Sequence, residues 1–163
     1  MTELINYVNY RVATPFDLQG LMQLDIDNDQ RPKTPNWWMR RLDQGDEVNT
    51  IVHTAVHIHT RRLVGYIVTT WATATSIRVN RLLVGKEFRR IRIGTRMLLR
   101  VLSDKPIGVC TLTYTVPEQD LESQLFLKSV GFIAKMPLRV GAFPNTDSGL
   151  GIKFEWNETT DAV

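Results

Sequence analysis

The sequence predicts a single-domain α/β protein. Segments with the apolar spacing of strands alternate along the chain with segments that have the spacing of helices. The chain has 163 residues, which is enough to bury one hydrophobic core. Between residues 77 and 99, an apolar strand runs through a short basic loop directly into an amphipathic helix. These three observations together favour an α/β fold over an all-α or all-β one.

The predicted helices are bounded by capping residues. Thr14-Pro15 and Thr34-Pro35 each place a capping hydroxyl before a proline at the first helical position. Gly45 closes the second helix, Pro106 ends the third, and Gly131 is expected to cap the fourth in the left-handed conformation. The predicted helices are residues 15–27, a second helix from residue 35 through residue 42 that closes around Gly45, and residues 93–102 and 120–129.

The predicted strands are apolar or alternating runs bounded by turn residues. Thr60-Arg61 lies between two such runs and predicts a hairpin. The last two runs predict a closing pair, joined by the loop 142–150, which is rich in Pro, Gly and Asn. Residues 157–163 predict a frayed tail. The predicted strands are residues 7–13, 49–59, 63–72, 77–84, 108–116, 132–140 and 151–156.

Positive charge is concentrated in one part of the chain. The formal net charge is +3, but residues 86–100 contain six basic residues and one acid, a local charge of +5. The rest of the chain therefore carries −2. This distribution favours a focused anion site over a generally basic surface for nucleic acid, so no nucleic acid is expected as a partner. Binding of DNA or RNA through the arginine loop stays an open third hypothesis.

Cysteine content and hydropathy point to a cytoplasmic protein. Cys110 is the single cysteine, so no internal disulfide can form, and it is expected to be a small buried hydrophobe. No run approaches the roughly 20 apolar residues of a membrane span, and residues 1–10 lack the pattern of a signal peptide. We expect no membrane association.

The basic loop carries the first of two family motifs. Arg89-Arg90-Ile91-Arg92-Ile93-Gly94 resembles the Q/R-x-x-G-x-G/A signature of the GNAT superfamily of acetyl-CoA-dependent N-acetyltransferases. Such a helix start presents unpaired N–H groups and the positive end of the helix dipole, which attract phosphate. Arg92 stands where the signature has its first glycine, and this departure leaves the shape of the loop open.

The second motif follows about 35 residues later. Residues 126–132 read Phe-Leu-Lys-Ser-Val-Gly-Phe, which is similar to the family pattern of an apolar residue, Tyr, three variable positions and Gly-Phe. Leu127 stands at the position of the tyrosine. Both motifs in this order, with a strand between them, identify the chain as resembling a GNAT protein along nearly its whole length.

The resemblance implies a fold and a cofactor site. The fold is a mixed, largely antiparallel sheet of six to seven strands with helices on both faces, in which the fourth and fifth strands run parallel but splay apart. Strand main chain would pair with the pantetheine arm of acetyl-CoA, the loop would hold the pyrophosphate, and the helix from Asp120 would border the thiol. The implied cofactor-binding residues are Leu82, Leu83, Val84, Arg89, Arg90, Ile91, Arg92, Ile93, Gly94, Thr95 and Leu127.

The resemblance also implies an activity, the direct transfer of acetyl from acetyl-CoA to a primary amine in a ternary complex. The amine is a protein N-terminus or a small molecule, and the chain looks most like the ribosomal-protein alanine N-acetyltransferases. Leu127 cannot donate a proton to the departing thiolate, as the family tyrosine does. Tyr114 is the candidate acid and Glu118 the candidate base, with a strand aromatic and a solvated carboxylate as the respective alternatives. The alternative function is an impaired domain that binds acyl-CoA or a partner without turnover.

The remaining features are the wall of the acceptor pocket, a group of three histidines and the oligomeric state. Trp37 and Trp38 are candidate acceptor-binding residues, because the family often builds that wall from its first two helices. The alternative is one core and one half-exposed tryptophan. His53, His57 and His59 are expected to share one exposed strand face, and no nearby Cys or carboxylate pattern completes a metal site. A homodimer is compatible with the family.

Overall fold

The computed structural model describes residues 7–28, 32–43, 49–139 and 150–158. Within these ranges it contains seven strands and four α-helices, with short 3₁₀ turns at Pro15–Asp17 and Lys86–Phe88. The strands are β1 Val8–Val12, β2 Thr50–His57, β3 Leu63–Thr73, β4 Ser76–Val84, β5 Thr111–Pro117, β6 Ile133–Arg139 and β7 Leu150–Asn157. The helices are α1 Leu18–Asp27, α2 Pro35–Leu42, α3 Ile93–Asp104 and α4 Leu121–Ser129.

The seven strands form one mixed sheet in the order β1-β2-β3-β4-β5-β7-β6. The pairs β1–β2, β2–β3, β5–β7 and β6–β7 are antiparallel, whereas β4 and β5 are parallel. The β4–β5 pairing extends only from Ser76 and Thr111 to Val79 and Tyr114, and both strands continue beyond it. The expected fold class is confirmed. The fourth and fifth strands are parallel, and they pair over only part of their length.

The chain forms two compact units, Met1–Thr70 with Arg81–Lys105 and Trp71–Asn80 with Pro106–Val163. In the first unit, helices pack on both faces of the sheet. Consecutive residues of β3 show this, because neighbouring strand side chains point to opposite faces. Tyr66 packs edge-on against Trp38 of α2, with ring centroids 5.1 Å apart. A Cβ added to Gly65 would lie 3.2 Å from the sulfur of Met97 in α3 and 2.9 Å from the carbonyl oxygen of Leu83, so only glycine fits. The single-domain organisation stays a prediction.

The second unit packs α4 and the last three strands around its own apolar core. Leu127 of α4 and Phe154 of β7 are fully buried there. Asp120 caps α4 by accepting the main-chain N–H of Ser123 at 3.0 Å. Gly131 ends the helix with a φ of 92°, and Phe132 donates its N–H to the carbonyl of Leu127 at 3.0 Å. The predicted glycine cap is therefore confirmed.

Several predicted boundaries were wrong for local reasons. The first helical segment begins at Pro15 after Thr14, as predicted, but its first turn is 3₁₀ and α1 begins only at Leu18. The fifth strand begins at Thr111 and not at 108, where Gly108 has a φ of 94°. Asn157 belongs to β7 opposite Thr111 and is not part of a tail. Gly45, the loop 142–149 and residues 159–163 lie outside the described residues.

Two single-residue expectations were also wrong. Cys110 is exposed, because it lies in the connection before β5 and not within the strand. The histidines do not share one exposed face: His53 is buried, and His59 lies beyond the end of β2 at His57. A register shift between Ala55 and Val56 interrupts the alternation on which that expectation rested. Within the described ranges, no helix has the length and apolar character needed to cross a bilayer.

The buried His53 predicts a pH dependence of stability. Burial is the largest cause and lowers the pKa of His53, even though Asp104 lies 3.6 Å from its Nε2. The unfolded chain therefore takes up a proton at pH values where the folded chain does not. The contribution of this group to stability is full above about pH 6.5 and is lost as the pH falls through the folded pKa. Denaturant unfolding at pH 7 and pH 5 should show a smaller loss in His53→Gln than in the wild type.

The exposed His59 provides the control for this prediction. His59→Gln should keep the wild-type loss of stability between pH 7 and pH 5, because the exposed His59 side chain carries no burial penalty in the folded chain. Equal losses in His53→Gln and in the wild type would contradict the argument.

Candidate functional site

The arginine loop of the first unit connects β4 to α3. Gly85 anchors its beginning by donating to the carbonyl of Val64 at 2.8 Å, and Lys86 donates its main-chain N–H to the Asn28 side chain at 3.0 Å. After the 3₁₀ turn, Arg90 and Arg92 adopt left-handed conformations with φ of 64° and 65°. The loop is thus fixed at its start and turns twice before α3 begins.

From Arg89 onward, the main-chain N–H groups of this loop have no acceptor in the part of the chain that the structure describes. The first helical bond of α3 runs from the N–H of Arg96 to the carbonyl of Arg92 at 3.0 Å. Among the residues that the structure describes, no acceptor pairs with the N–H groups from Arg89 to Thr95. A continuous run of unpaired donors at a helix N-terminus, with the positive end of its dipole behind it, binds anions.

The loop side chains add positive charge. Arg89 turns back and donates its Nε to the Val84 carbonyl at 3.1 Å. Arg90 and Arg92 are exposed and form no hydrogen bond or ion pair within the described part of the chain. Glu87, the one acid of this stretch, lies 3.5 Å from Arg62. Two guanidinium groups are therefore free to bind a phosphate bidentately.

Arg92 adopts a left-handed backbone conformation, which glycine takes more readily than other residues. The left-handed region costs a non-glycine residue roughly 1–2 kcal/mol, and Arg92 lies in it at φ 65°. The departure from the motif therefore changes the side chain and the strain at this position, while the backbone makes the turn that glycine favours.

Glycine at this position should relieve the strain. Arg92→Gly is expected to raise the free energy of unfolding by about 0.5–1 kcal/mol, since the relief exceeds the added entropy of glycine in the unfolded chain. Chemical denaturation measures the change. Arg89→Gly is the matched control, because Arg89 has a φ of −73° and no strain to lose. Stabilisation of both variants alike, or of neither, would refute the explanation.

The candidate catalytic residues lie in the second unit. Tyr114 is a half-buried residue of β5, opposite Phe154 of β7. Glu118 follows that strand, is exposed, and accepts the side-chain amide of Gln124 through its main-chain oxygen at 2.7 Å. Leu127 is fully buried, and Asp120 serves as the cap of α4. The roles of Tyr114 and Glu118 stay predictions.

The two tryptophans differ sharply in exposure. Trp38 is fully buried between Trp37 and Tyr66, with T-shaped contacts to both rings. Trp37 is half-buried, and the Arg41 guanidinium lies 3.7 Å from its ring centroid. The pair thus has one core and one partly exposed member, and only Trp37 offers surface to a ligand. An acceptor role for either residue stays a prediction.

Sequence reasoning missed a charged cluster beneath the first two helices. Asp25 is fully buried, and Oδ1 of its carboxylate accepts from Tyr66 and from Arg81 of β4 at 2.9 Å. Lys33 donates its main-chain N–H to the other oxygen of the same carboxylate at 3.4 Å. The available signal was Asp25 itself, which lies four residues after the buried Leu21 on the apolar side of α1.

The fold has close counterparts among solved structures, whereas no family model and no curated protein matches the sequence. NAA60 from Arabidopsis thaliana, in complex with a bisubstrate analogue, superposes with a TM-score of 0.77 at 15% identity, over 92% of this chain and 97% of that one. The same plant protein is known in complex with acetyl-CoA.

Two bacterial structures are similarly close. The ribosomal-protein-S5-alanine acetyltransferase from Vibrio fischeri has a TM-score of 0.77 at 14% identity, over 96% of each chain. A GNAT-family acetyltransferase from Bacillus cereus has a TM-score of 0.73 at 18% identity, over 93% of this chain and 97% of that one. This chain therefore has the fold of the GNAT acetyltransferases over nearly its entire length.

Proposed function

We propose that the protein is an N-acetyltransferase that moves an acetyl group from acetyl-CoA to a primary amine. The observation that carries the proposal is the run of main-chain donors from Arg89 to Thr95, which have no acceptor among the described residues. The guanidinium groups of Arg90 and Arg92, likewise without a partner in those ranges, flank this run. A pyrophosphate matches these donors in charge and in hydrogen-bonding capacity. The fold shared with acetyltransferases supports the assignment.

The residues of the chain suit acetyl-CoA as the co-substrate. The loop from Arg89 to Thr95 would hold the pyrophosphate, and the main chain of Leu82, Leu83 and Val84 would hold the pantetheine amides. Leu127 would border the thioester end. The proposal includes no metal. The two units would belong to one domain, and the protein would act in the cytoplasm.

The proposed reaction is a direct attack in a ternary complex. The amine nitrogen forms a bond to the carbonyl carbon of the thioester, and the carbon–sulfur bond breaks. Glu118 would take the proton from the attacking ammonium, directly or through water, and Tyr114 would protonate the departing thiolate. Main-chain donors would stabilise the oxyanion. The acceptor is a protein N-terminus or a small amine.

Calorimetric titration of acetyl-CoA tests the cofactor assignment. We expect the wild type to bind, and Arg90→Gln/Arg92→Gln to bind about 10- to 100-fold more weakly, because two charge-assisted contacts to phosphate are lost. Arg78→Gln, an exposed arginine on β4 outside the loop, is the matched control and should bind as the wild type does. Absence of binding in the wild type would overturn the proposal.

Turnover with a panel of amines separates the enzyme from the alternative, a domain that binds acyl-CoA without turnover. Thiol release with at least one amine, lowered in Tyr114→Phe and Glu118→Gln while acetyl-CoA binding persists, would support the proposed roles. Binding of acetyl-CoA without turnover on any amine would favour the alternative, which the leucine at position 127 keeps open.

A further inference from the structure

We propose that the acceptor carries a carboxylate close to its reacting amine, and that Lys33 and Arg81 bind this carboxylate. The inference rests on the proposed function, because it names the class of acceptor for the same reaction. It derives from the charged cluster of the first unit, which consists of Asp25, Lys33, Arg41 and Arg81.

The carboxylate of Asp25 accounts for only part of this cluster. It is held by the Tyr66 hydroxyl, by one nitrogen of Arg81 and by the main-chain N–H of Lys33. These donors leave the ammonium of Lys33 and the other N–H groups of the Arg81 guanidinium without a hydrogen-bond acceptor among the described residues. The single buried carboxylate of Asp25 therefore neutralises only part of the positive charge of Lys33 and Arg81.

The two unsatisfied cations are partly removed from water. The Arg81 side chain is 17% exposed, and Lys33 is half-buried with its ammonium 5.5 Å from the ring centroid of Trp37. Arg41 lies over the same ring. Burial, followed by the positive charge of Arg81, lowers the pKa of Lys33, although Asp25 opposes this effect. Cations crowded in this way are stabilised by an additional anion.

The location of the cluster points to the acceptor as the source of that anion. Lys33 precedes α2, Asp25 lies on α1, and Trp37 is the member of the tryptophan pair that keeps surface available. These are the two helices from which an acceptor wall is expected. The loop that would bind pyrophosphate leads into α3, on the opposite face of the first unit's sheet, so the cluster is not needed for that phosphate.

Matched acceptors test the proposal. Peptides beginning Ala-Glu and Ala-Gln have nearly the same shape and differ by one charge. With saturating acetyl-CoA, we expect kcat/KM of the wild type to be about tenfold higher for the acidic member, through KM and not kcat. In Lys33→Gln the preference should shrink to within about threefold, and Lys33→Glu should reverse it. Lys128→Gln, an exposed lysine of α4, should retain the wild-type preference.

Equilibrium binding keeps the test independent of turnover. Calorimetry of the same peptides requires no reaction, so a Lys33-dependent preference for Ala-Glu supports carboxylate binding at this cluster even if no amine is acetylated and the proposed activity fails. Equal binding of the two peptides, or a preference that survives Lys33→Gln, overturns the inference while leaving acetyl-CoA binding untouched. A stronger response to a peptide beginning Ala-phosphoserine would overturn the carboxylate in favour of a phosphate.

Discussion

Asp25→Ala is expected to lower the free energy of unfolding by about 3–5 kcal/mol. Its fully buried carboxylate accepts hydrogen bonds from Tyr66, Arg81 and the main chain of Lys33. Removing it leaves the mostly buried Arg81 guanidinium without its counter-ion and the Tyr66 hydroxyl without that acceptor. Breaking a buried ion pair on one side costs this much, because the remaining charge stays desolvated. Urea denaturation, followed by circular dichroism, measures the loss.

Asp27, in the same helix, provides the control. It is exposed and lies 3.5 Å from Arg62, which is itself largely exposed. Asp27→Ala should therefore cost less than about 1 kcal/mol, as solvent-exposed pairs do. Similar losses in the two variants would show that the buried cluster is not a principal source of stability.

Trp38→Ala should destabilise the protein by about 3–5 kcal/mol as well. The side chain is fully buried and packs edge-on against Trp37 and Tyr66, at centroid distances of 4.9 and 5.1 Å. Truncation leaves a large cavity between α2 and the sheet, which the surrounding residues fill only in part. Thermal and denaturant unfolding should agree on a loss of this size.

The neighbouring Trp37 is the matched comparison. It is half-buried, and its main contact is the Arg41 guanidinium over its ring. Trp37→Ala should cost only about 1 kcal/mol, the order of a partly exposed cation–π contact with some packing. A larger loss for Trp37 than for Trp38 would contradict the assignment of the two residues to surface and core.

The elements with strong local signals were predictable from the sequence. Pro35 after Thr34 marks the start of α2, and the Thr34 hydroxyl does accept the N–H of Trp37 at 3.2 Å. Gly131 caps α4 as expected. Ile93 begins α3 at the predicted residue, because the basic loop ends there and the apolar spacing of a helix begins. Each of these features is set by residues within one or two turns of each other.

What escaped prediction depends on contacts distant in sequence. Nothing local shows that β7 lies between β5 and β6, since the pairing joins Tyr114 to Phe154 across the chain. The register shift at Ala55 and Val56 is likewise a property of two strands together. The cluster at Asp25 needs Arg81, which is 56 positions away, so its positive charge could not be assigned to a site from the sequence.

The left-handed Arg92 also has a genetic consequence. Every arginine codon differs from a glycine codon by one base, so relief of the backbone strain at this position is a single mutational step away. A chain with arginine at position 92 is about 1 kcal/mol less stable than a chain with glycine there, but it keeps a positive charge in the loop.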